Sequence, residues 1–200
     1  MPTRRPIIIA YHLVWTNYGT WLPNDPRGSG SQRVAAGQLA ELGPLHFGGR
    51  KTQPSPSAVR EFYDRADERL YFQVVRFTQP QIDLVASGLA DAMLEHTYMC
   101  YACAILPDHA HLVVRKHKHR AEAMIDRLQA ATRLRLSTAD AIPCNRPVWT
   151  LGGWKRFLSS PAAVRIAIGY VQNNPLKAGL PQQPWPFVKP HDGWPRRELH

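Results

Sequence analysis

Two histidines stand one residue apart in the segment LPDHAHLVV, residues 106–114. A Pro-Asp pair that favours a turn precedes them and an apolar run follows, so the segment is typical of a β-strand that returns from a tight turn. Side chains alternate between the two faces of a strand, so His109 and His111 point to one side and Ala110 to the other. Two imidazoles placed in this way can converge on one cation. The alternative is a pair of histidines at ordinary strand positions.

The flanking residues distinguish between kinds of metal site. A metallo-β-lactamase type of site needs an Asp and a His directly after the pair, and Val113 and Val114 occupy those places. Cys100 and Cys103 form a C-x-x-C pair that could complete a zinc site with the two histidines. Residues 98–106 predict a strand, however, and positions three apart on a strand face opposite sides. Small buried side chains are therefore the favoured role for both cysteines.

A tyrosine and an asparagine lie four residues apart in the last periodic segment of the chain. Val164, Ile168 and Val171 recur at helical spacing, and Tyr170 and Asn174 then share one helix face. A phenol can be a covalent nucleophile toward phosphorus, and an amide oxygen can bind a hard cation. A core aromatic residue is the alternative for the tyrosine alone. Combined with the histidine pair, the two residues predict a site that acts on a phosphodiester.

The composition limits the class of protein. A chain of 200 residues with 44% hydrophobic residues predicts one domain with a real core. The net charge of +10 favours a polyanionic partner, nucleic acid first, with a basic but otherwise ordinary enzyme as the alternative. No apolar run is long enough to span a membrane. Three cysteines argue against a disulfide framework, and the N-terminal segment predicts a first strand rather than a signal peptide, so we expect a cytoplasmic protein.

Strands must position the histidines. The sequence predicts strands over residues 7–15, 71–78, 98–106 and 109–117, and a hairpin over 147–158 with Gly152 and Gly153 at its turn. The turn between the third and fourth of these strands makes that pair antiparallel. Alternation of such strands with helices, in an order irregular for a parallel sheet, predicts an α+β fold with an antiparallel sheet.

Helices must position the tyrosine. The sequence predicts a first helix capped by Ser57, a second over residues 78–97, a third over about 119–140 and a last one. The last helix begins with Ser160 as its N-cap and Pro161 in its first turn, and Pro175 is expected to end it. We expect one domain over residues 1–200, with an irregular insertion at about 29–56 and an extended Pro-rich tail from about 181.

Basic and aromatic residues supply candidate contacts to a nucleic acid. Lysines and arginines follow the histidine strand closely, and two more precede the last helix; solvated surface is the alternative for them. Tryptophans could stack on unpaired bases. The candidate DNA-binding residues are Arg115, Lys116, Lys118, Arg120, Arg127, Lys155, Arg156 and Trp21, and Trp149, Trp154, Trp185 and Trp194 are further aromatic candidates.

Three segments resemble one protein family. Residues 105–114, ILPDHAHLVV, resemble the histidine strand of single-tyrosine HUH transposases, with Ala110 where a bulky apolar residue is usual. Residues 168–180, IGYVQNNPLKAGL, resemble the tyrosine helix of that family and its Asn-Pro-x-Lys-Ala-Gly ending. Residues 11–28 resemble the first strand and loop of one subgroup. The resemblance is closest to the REP-associated tyrosine transposases.

The resemblance implies a ferredoxin-like fold, an antiparallel sheet backed by helices. It implies that His109, His111 and Asn174 hold a divalent metal, Mg²⁺ or Mn²⁺, with Asn174 where some relatives have Gln. Tyr170 would be the nucleophile of a single-stranded DNA endonuclease and strand transferase. This enzyme would cleave beside DNA hairpins of palindromic repeats through a 5′-phosphotyrosine.

Three further expectations follow from the same reasoning. We expect a monomer, with the loop at 18–33 and the tail as candidate hairpin contacts. A non-catalytic, domesticated protein that binds DNA hairpins is the main alternative function. A zinc-stabilised RNA-binding protein, with zinc at Cys100 and Cys103, is a more distant alternative.

Overall fold

The computed structural model describes residues 7–30, 37–49 and 51–194. Within them lies one four-stranded sheet with the strand order β2-β3-β1-β4. β1 pairs antiparallel with β4, and β2 pairs antiparallel with β3. This confirms the α+β class, and the order is that of the split β-α-β, or ferredoxin-like, arrangement. The strands are β1 (Ala10–Thr16), β2 (Cys100–Ile105), β3 (His109–Arg115) and β4 (Trp154–Leu158).

Four α-helices accompany the sheet in the described residues: α1 (Pro56–Asp67), α2 (Gln79–Glu95), α3 (Ala121–Thr138) and α4 (Pro161–Lys177). α4 packs on β2 and β3, and its buried Val164, Ala167 and Val171 join a core cluster with Val113 and Leu158 of the sheet. α2 packs so closely against α3 that a Cβ on Gly88 would lie 2.7 Å from the Cα of Thr132.

The described residues form two compact units. The first comprises the described parts of residues 1–15, 77–145 and 151–200, and the second those of 16–76 with 146–150. The second unit holds α1 and a short 3₁₀ helix, Gly37–Leu42, around an apolar core of Leu22, Leu39, Leu42, Phe62 and Ala66. The expectation of one domain stays a prediction.

A buried ionic network organises the second unit. The carboxylate of Asp25 is fully buried and accepts hydrogen bonds from Arg27, at 3.0 and 2.7 Å, and from the hydroxyl of Tyr63 at 2.5 Å. Burial raises the pKa of the Tyr63 hydroxyl, so it stays protonated and donates. The Arg27 guanidinium lies 3.9 Å from the ring centroid of Trp21, whose backbone has a φ of +52°. The network thus fixes this tryptophan on a backbone that bulky residues rarely adopt.

Two of the predicted strands are wrong. Residues 71–78 form no strand, because they make single backbone hydrogen bonds to different segments: Val75 donates to Tyr18 and Phe77 to Pro107. The predicted hairpin over 147–158 does not form either. In the first predicted arm, only Trp149 makes an isolated bridge, to Asn17. The second predicted arm is β4, which pairs with β1 and not with the first arm. Gly153 is needed there, because a Cβ would lie 2.7 Å from the carbonyl oxygen of Val14.

The predicted helix ends need two corrections. α1 is capped by Ser55, whose hydroxyl accepts from the backbone N–H of Ala58, and not by Ser57. α4 begins as predicted, with the Ser160 hydroxyl accepting from the N–H of Ala163, but it continues through Pro175. Proline at this place removes one hydrogen bond near the end of the helix, where few turns remain to be disrupted.

The Pro-rich tail lies along the outer edge of the sheet. The side-chain amide of Gln183 donates to the carbonyl of Ile105 and accepts from its N–H, both at 2.8 Å, as a neighbouring strand would. Further on, Lys189 donates its N–H to the carbonyl of Cys100 at 2.8 Å. Residues 31–36 and 50 of the predicted insertion, and 195–200 of the tail, lie outside the described residues.

Candidate metal and nucleophile site

The histidine pair lies on β3 as predicted, on the face of the sheet that α4 covers. His111 pairs with Ala104 across the hairpin, and the register places Cys103 opposite Leu112, on the other face. His111 is 6% exposed, and His109, at the turn, is half-buried. The pair is therefore largely shielded from solvent and does not lie on an open surface.

Asp108 fixes the orientation of His109. Its carboxylate oxygen lies 2.7 Å from Nδ1 of His109. A carboxylate can only accept, so Nδ1 carries the proton and Nε2 of the neutral ring keeps its lone pair. Ligating histidines in metalloproteins commonly have such an acceptor on the far nitrogen.

A third histidine belongs to the site, and sequence reasoning missed it. His12, on the neighbouring strand β1, has its Nε2 atom 3.1 Å from Nδ1 of His111 and is 6% exposed. Burial is the main cause that lowers the pKa of His12 to about 4 and that of His111 to about 3. Both rings are therefore neutral near pH 7, the form that binds metals. A histidine inside the apolar strand YHLVW was the available signal.

Tyr170 projects from α4 over the histidines. Its ring centroid lies 5.7 Å from that of His111 and 5.8 Å from that of His12, edge to face in both cases. Tyr170 is 48% exposed, so a substrate can reach this residue. The contacts are made within one chain. The Nζ atom of Lys177 lies 5.5 Å from the centroid of the Tyr170 ring, a neighbour that sequence reasoning did not single out.

Asn174 lies one helical turn beyond Tyr170 and is half-buried. Its amide nitrogen donates to the carbonyl of Tyr170 at 3.2 Å. This bond does not use the side-chain oxygen, the atom that would bind a cation.

The donor chemistry of the site fits a divalent cation. Within the described ranges, no three His, Cys, Asp or Glu side chains are grouped so as to hold a metal ion. Two imidazoles alone leave the ligand set incomplete, and the resemblance implies that the amide oxygen of Asn174 would be the third ligand, a combination of donors that Mn²⁺ accepts. A register irregularity between Cys100 and Ala102 puts Cys100 and Cys103 on the same sheet face, contrary to the expectation from strand alternation, and this face is the one opposite the histidines. The zinc alternative is therefore not supported, and burial also raises the pKa of Cys100 to about 12.

Lys155 and Arg156, the two basic candidates on β4, lie on opposite faces of the sheet. Arg156 pairs with His12, so it lies on the histidine face, whereas Lys155 lies on the other face and forms an ion pair with Glu122 at 2.5 Å. Trp154 also lies on the histidine face. Its ring is edge-on to His12 at 5.8 Å and 52% exposed. Trp154 is therefore the tryptophan best placed to stack on a base near the site.

The remaining candidates of the first unit lie further away. Lys116, Lys118 and Arg120 are exposed but follow the far end of β3, so Lys116 lies about 16 Å along the strand from His111. Arg115 is engaged by Asp192 at 3.5 Å and lies 4.0 Å from the ring centroid of Trp194. Arg127 is half-buried on α3, and Trp21 belongs to the second unit.

Comparison with known proteins gives matches only among solved structures. No protein-family model and no curated protein matches the chain. One structure is a REP-associated tyrosine transposase bound to a REP hairpin, with 10% identity, a TM-score of 0.46, and coverage of 90% of this chain and 74% of that one. Another is a Deinococcus radiodurans protein assigned provisionally as a transposase, with 14% identity, a TM-score of 0.40, and coverage of 86% of this chain and 96% of that one. The first is a member of the family that the sequence motifs resemble.

These matches are too distant to carry a functional argument, which rests on the site geometry. The described residues contain no helix long and apolar enough to cross a membrane.

Proposed function

We propose that the chain is a transposase-like enzyme of the single-tyrosine HUH type, a metal-dependent endonuclease and strand transferase for single-stranded DNA. The observation that carries the proposal is the packing of Tyr170 against His111 and His12 within one chain. A half-exposed phenol beside neutral, oriented imidazoles is the arrangement that a phosphodiester nucleophile beside a metal site requires. The positive net charge of +10 supports a polyanionic substrate.

The reaction would be a transesterification at phosphorus. The Tyr170 hydroxyl oxygen forms a bond to the phosphorus and loses its proton, while the bond to the 3′ oxygen breaks and that oxygen takes up a proton. The products are a 5′-phosphotyrosine and a free 3′-OH. A second 3′-OH can reverse the step and join strands, so no nucleotide cofactor is required.

The residues around Tyr170 would bind the metal and the DNA. His109, His111 and Asn174 would hold Mg²⁺ or Mn²⁺, which when bound offsets the negative charge of the phosphate. Lys177, whose Nζ atom lies 5.5 Å from the centroid of the Tyr170 ring, would offset negative charge that develops on the phosphate. Arg156 and Trp154 would bind the backbone and a base of the strand next to the site, and the basic residues after β3 would hold DNA further away.

The substrate would be single-stranded DNA next to a hairpin of palindromic repeats. The sequence resemblance supports this choice. We propose that the protein acts in the cytoplasm. We also propose that it acts as a monomer, because a site whose tyrosine and histidines come from one chain does not need a second copy.

The test is a cleavage assay on end-labelled hairpin oligonucleotides taken from the DNA that flanks the gene, with Mg²⁺ or Mn²⁺. The wild-type protein should form a covalent protein–DNA band, and Tyr170→Phe should form none. Tyr71→Phe is the matched control, because Tyr71 is 80% exposed in the second unit and should leave the band unchanged. Tight hairpin binding without any cleavage by the wild type would support the non-catalytic, hairpin-binding alternative.

A further inference from the structure

The two proposed metal-ligating histidines share one feature: each has its Nδ1 atom engaged. Nδ1 of His109 lies 2.7 Å from a carboxylate oxygen of Asp108, and Nδ1 of His111 lies 3.1 Å from Nε2 of His12. The nitrogen left on each ring is Nε2. Two histidines two positions apart on one strand can bind the same cation through equivalent atoms only if both rings have the same tautomer.

The Asp108 contact admits a single tautomer of neutral His109, because a carboxylate has no proton to give. The contact between His111 and His12 is compatible with either tautomer of His111. In one, His111 donates from Nδ1 to His12 and keeps its Nε2 lone pair for a metal. In the other, His12 donates from Nε2, and the proton of His111 then lies on Nε2, where it blocks metal binding.

We propose that His12 is a positioning residue, which accepts the Nδ1 proton of His111 and so presents Nε2 of His111 as a ligand atom. His12 would then do for His111 what Asp108 does for His109. The inference rests on the proposed function, in which this pair binds a metal. Both rings are 6% exposed, so water competes little for the hydrogen bond between them.

The packing around His12 restricts the orientation of its ring. Its ring is held edge-on by Trp154 on one strand and by Tyr170 on α4, both at a centroid distance of 5.8 Å. His12 therefore has little freedom to turn Nε2 away from His111. Because Tyr170 packs against His12, the ring that orients His111 is also in contact with the proposed nucleophile.

The first test needs no metal and no activity. Long-range ¹H–¹⁵N correlation spectra of the metal-free protein, labelled with ¹⁵N in histidine and held near pH 7.5, report the tautomer of each ring. We expect the proton on Nδ1 in His12, His109 and His111. A proton on Nε2 of His111 would overturn the proposal.

The second test measures Mn²⁺ affinity by electron paramagnetic resonance of the free ion. His12→Phe, which keeps an aromatic ring without an acceptor, should weaken binding about 10–100-fold, the usual effect of losing such a partner. His12→Gln should recover part of the loss through its amide oxygen. In a His111→Ala background, His12→Phe should cause no further weakening. Tyr11→Phe is the control, because Tyr11 is also buried on β1 but faces the other side of the sheet.

The two measurements separate failure of this inference from failure of the proposed function. If the wild type shows the expected tautomers but binds no Mn²⁺, the metal-dependent function is refuted while the hydrogen-bond direction stands. If the wild type binds Mn²⁺ and His12→Phe binds it equally well, the function stands and the role of His12 is refuted. The wild-type spectrum gives an answer even if a variant fails to fold.

Discussion

The buried histidines should make the stability of the metal-free protein depend steeply on pH between about 7 and 4. In the unfolded chain both histidines titrate near pH 6.5. In the folded protein, burial lowers the pKa of His12 to about 4 and that of His111 to about 3. Between these limits the unfolded state binds more protons than the folded state, so the free energy of unfolding falls as the pH falls. Below about pH 3 this contribution no longer changes.

The magnitude follows from the pH interval. Lowering the pH from 7.5 to 4.5 takes each histidine about 2 units below its unfolded pKa, which costs about 2.7 kcal/mol per group. The two rings are in contact, so their contributions do not add in full, and we expect a loss of about 3–5 kcal/mol for the pair.

Urea denaturation at a series of pH values, with a chelator present, measures this loss. Carboxylates also titrate in part of the interval, so the informative quantity is the difference between the wild type and a His12→Phe, His111→Phe double variant. The double variant should lose about 3–5 kcal/mol less than the wild type over the same interval. Equal pH dependence in the two proteins would refute the reasoning that burial keeps these imidazoles uncharged.

Three further predictions concern single side chains. Lys177→Met should slow DNA cleavage about 10-fold, whereas Lys177→Arg, which keeps the positive charge near the Tyr170 ring, should keep most of the rate; equal rates for Lys177→Met and the wild type would argue against a role of this charge. Trp154→Ala should weaken binding of single-stranded DNA by about 1–3 kcal/mol in a fluorescence titration, and Phe157→Ala, equally exposed on the opposite face of β4, should not. Gly88→Ala should lower the melting temperature because its Cβ would meet helix backbone, while Gly169→Ala, with open space, should raise it slightly.

The sequence predicted the parts of the fold that depend on local signals. The Pro-Asp turn and the alternation after it located the β2–β3 hairpin, and Ser160 with Pro161 located the start of α4. The pairing of β4 was missed because its partner, β1, lies about 140 residues earlier in the chain, while Gly152 and Gly153 suggested a nearer partner. A turn signal shows where a chain bends, but the partner of the next strand depends on long-range packing.

In the candidate site, too, the residues that depend on local signals were predicted and those that depend on long-range packing were missed. His109 and His111 were found because strand alternation places them side by side without any knowledge of the fold. His12 was missed because its relation to His111 exists only after β1 and β3 become neighbours in the sheet. The role of Lys155 was misjudged for a related reason, since only the register of β4 with β1 shows that it faces away from the histidines.

The way in which the tail meets β2 has a consequence for solubility. An uncovered outer strand is a template on which a second molecule can add its own strand, and natural proteins block such templates. Here Gln183 and Lys189 occupy hydrogen-bonding groups of β2, while the other outer strand, β4, carries the charged Lys155 and Arg156. A chain shortened after residue 181 would keep every proposed catalytic group and still lose the cover of β2. We therefore expect such a fragment to form strand-paired aggregates in light-scattering measurements under conditions where the full chain does not.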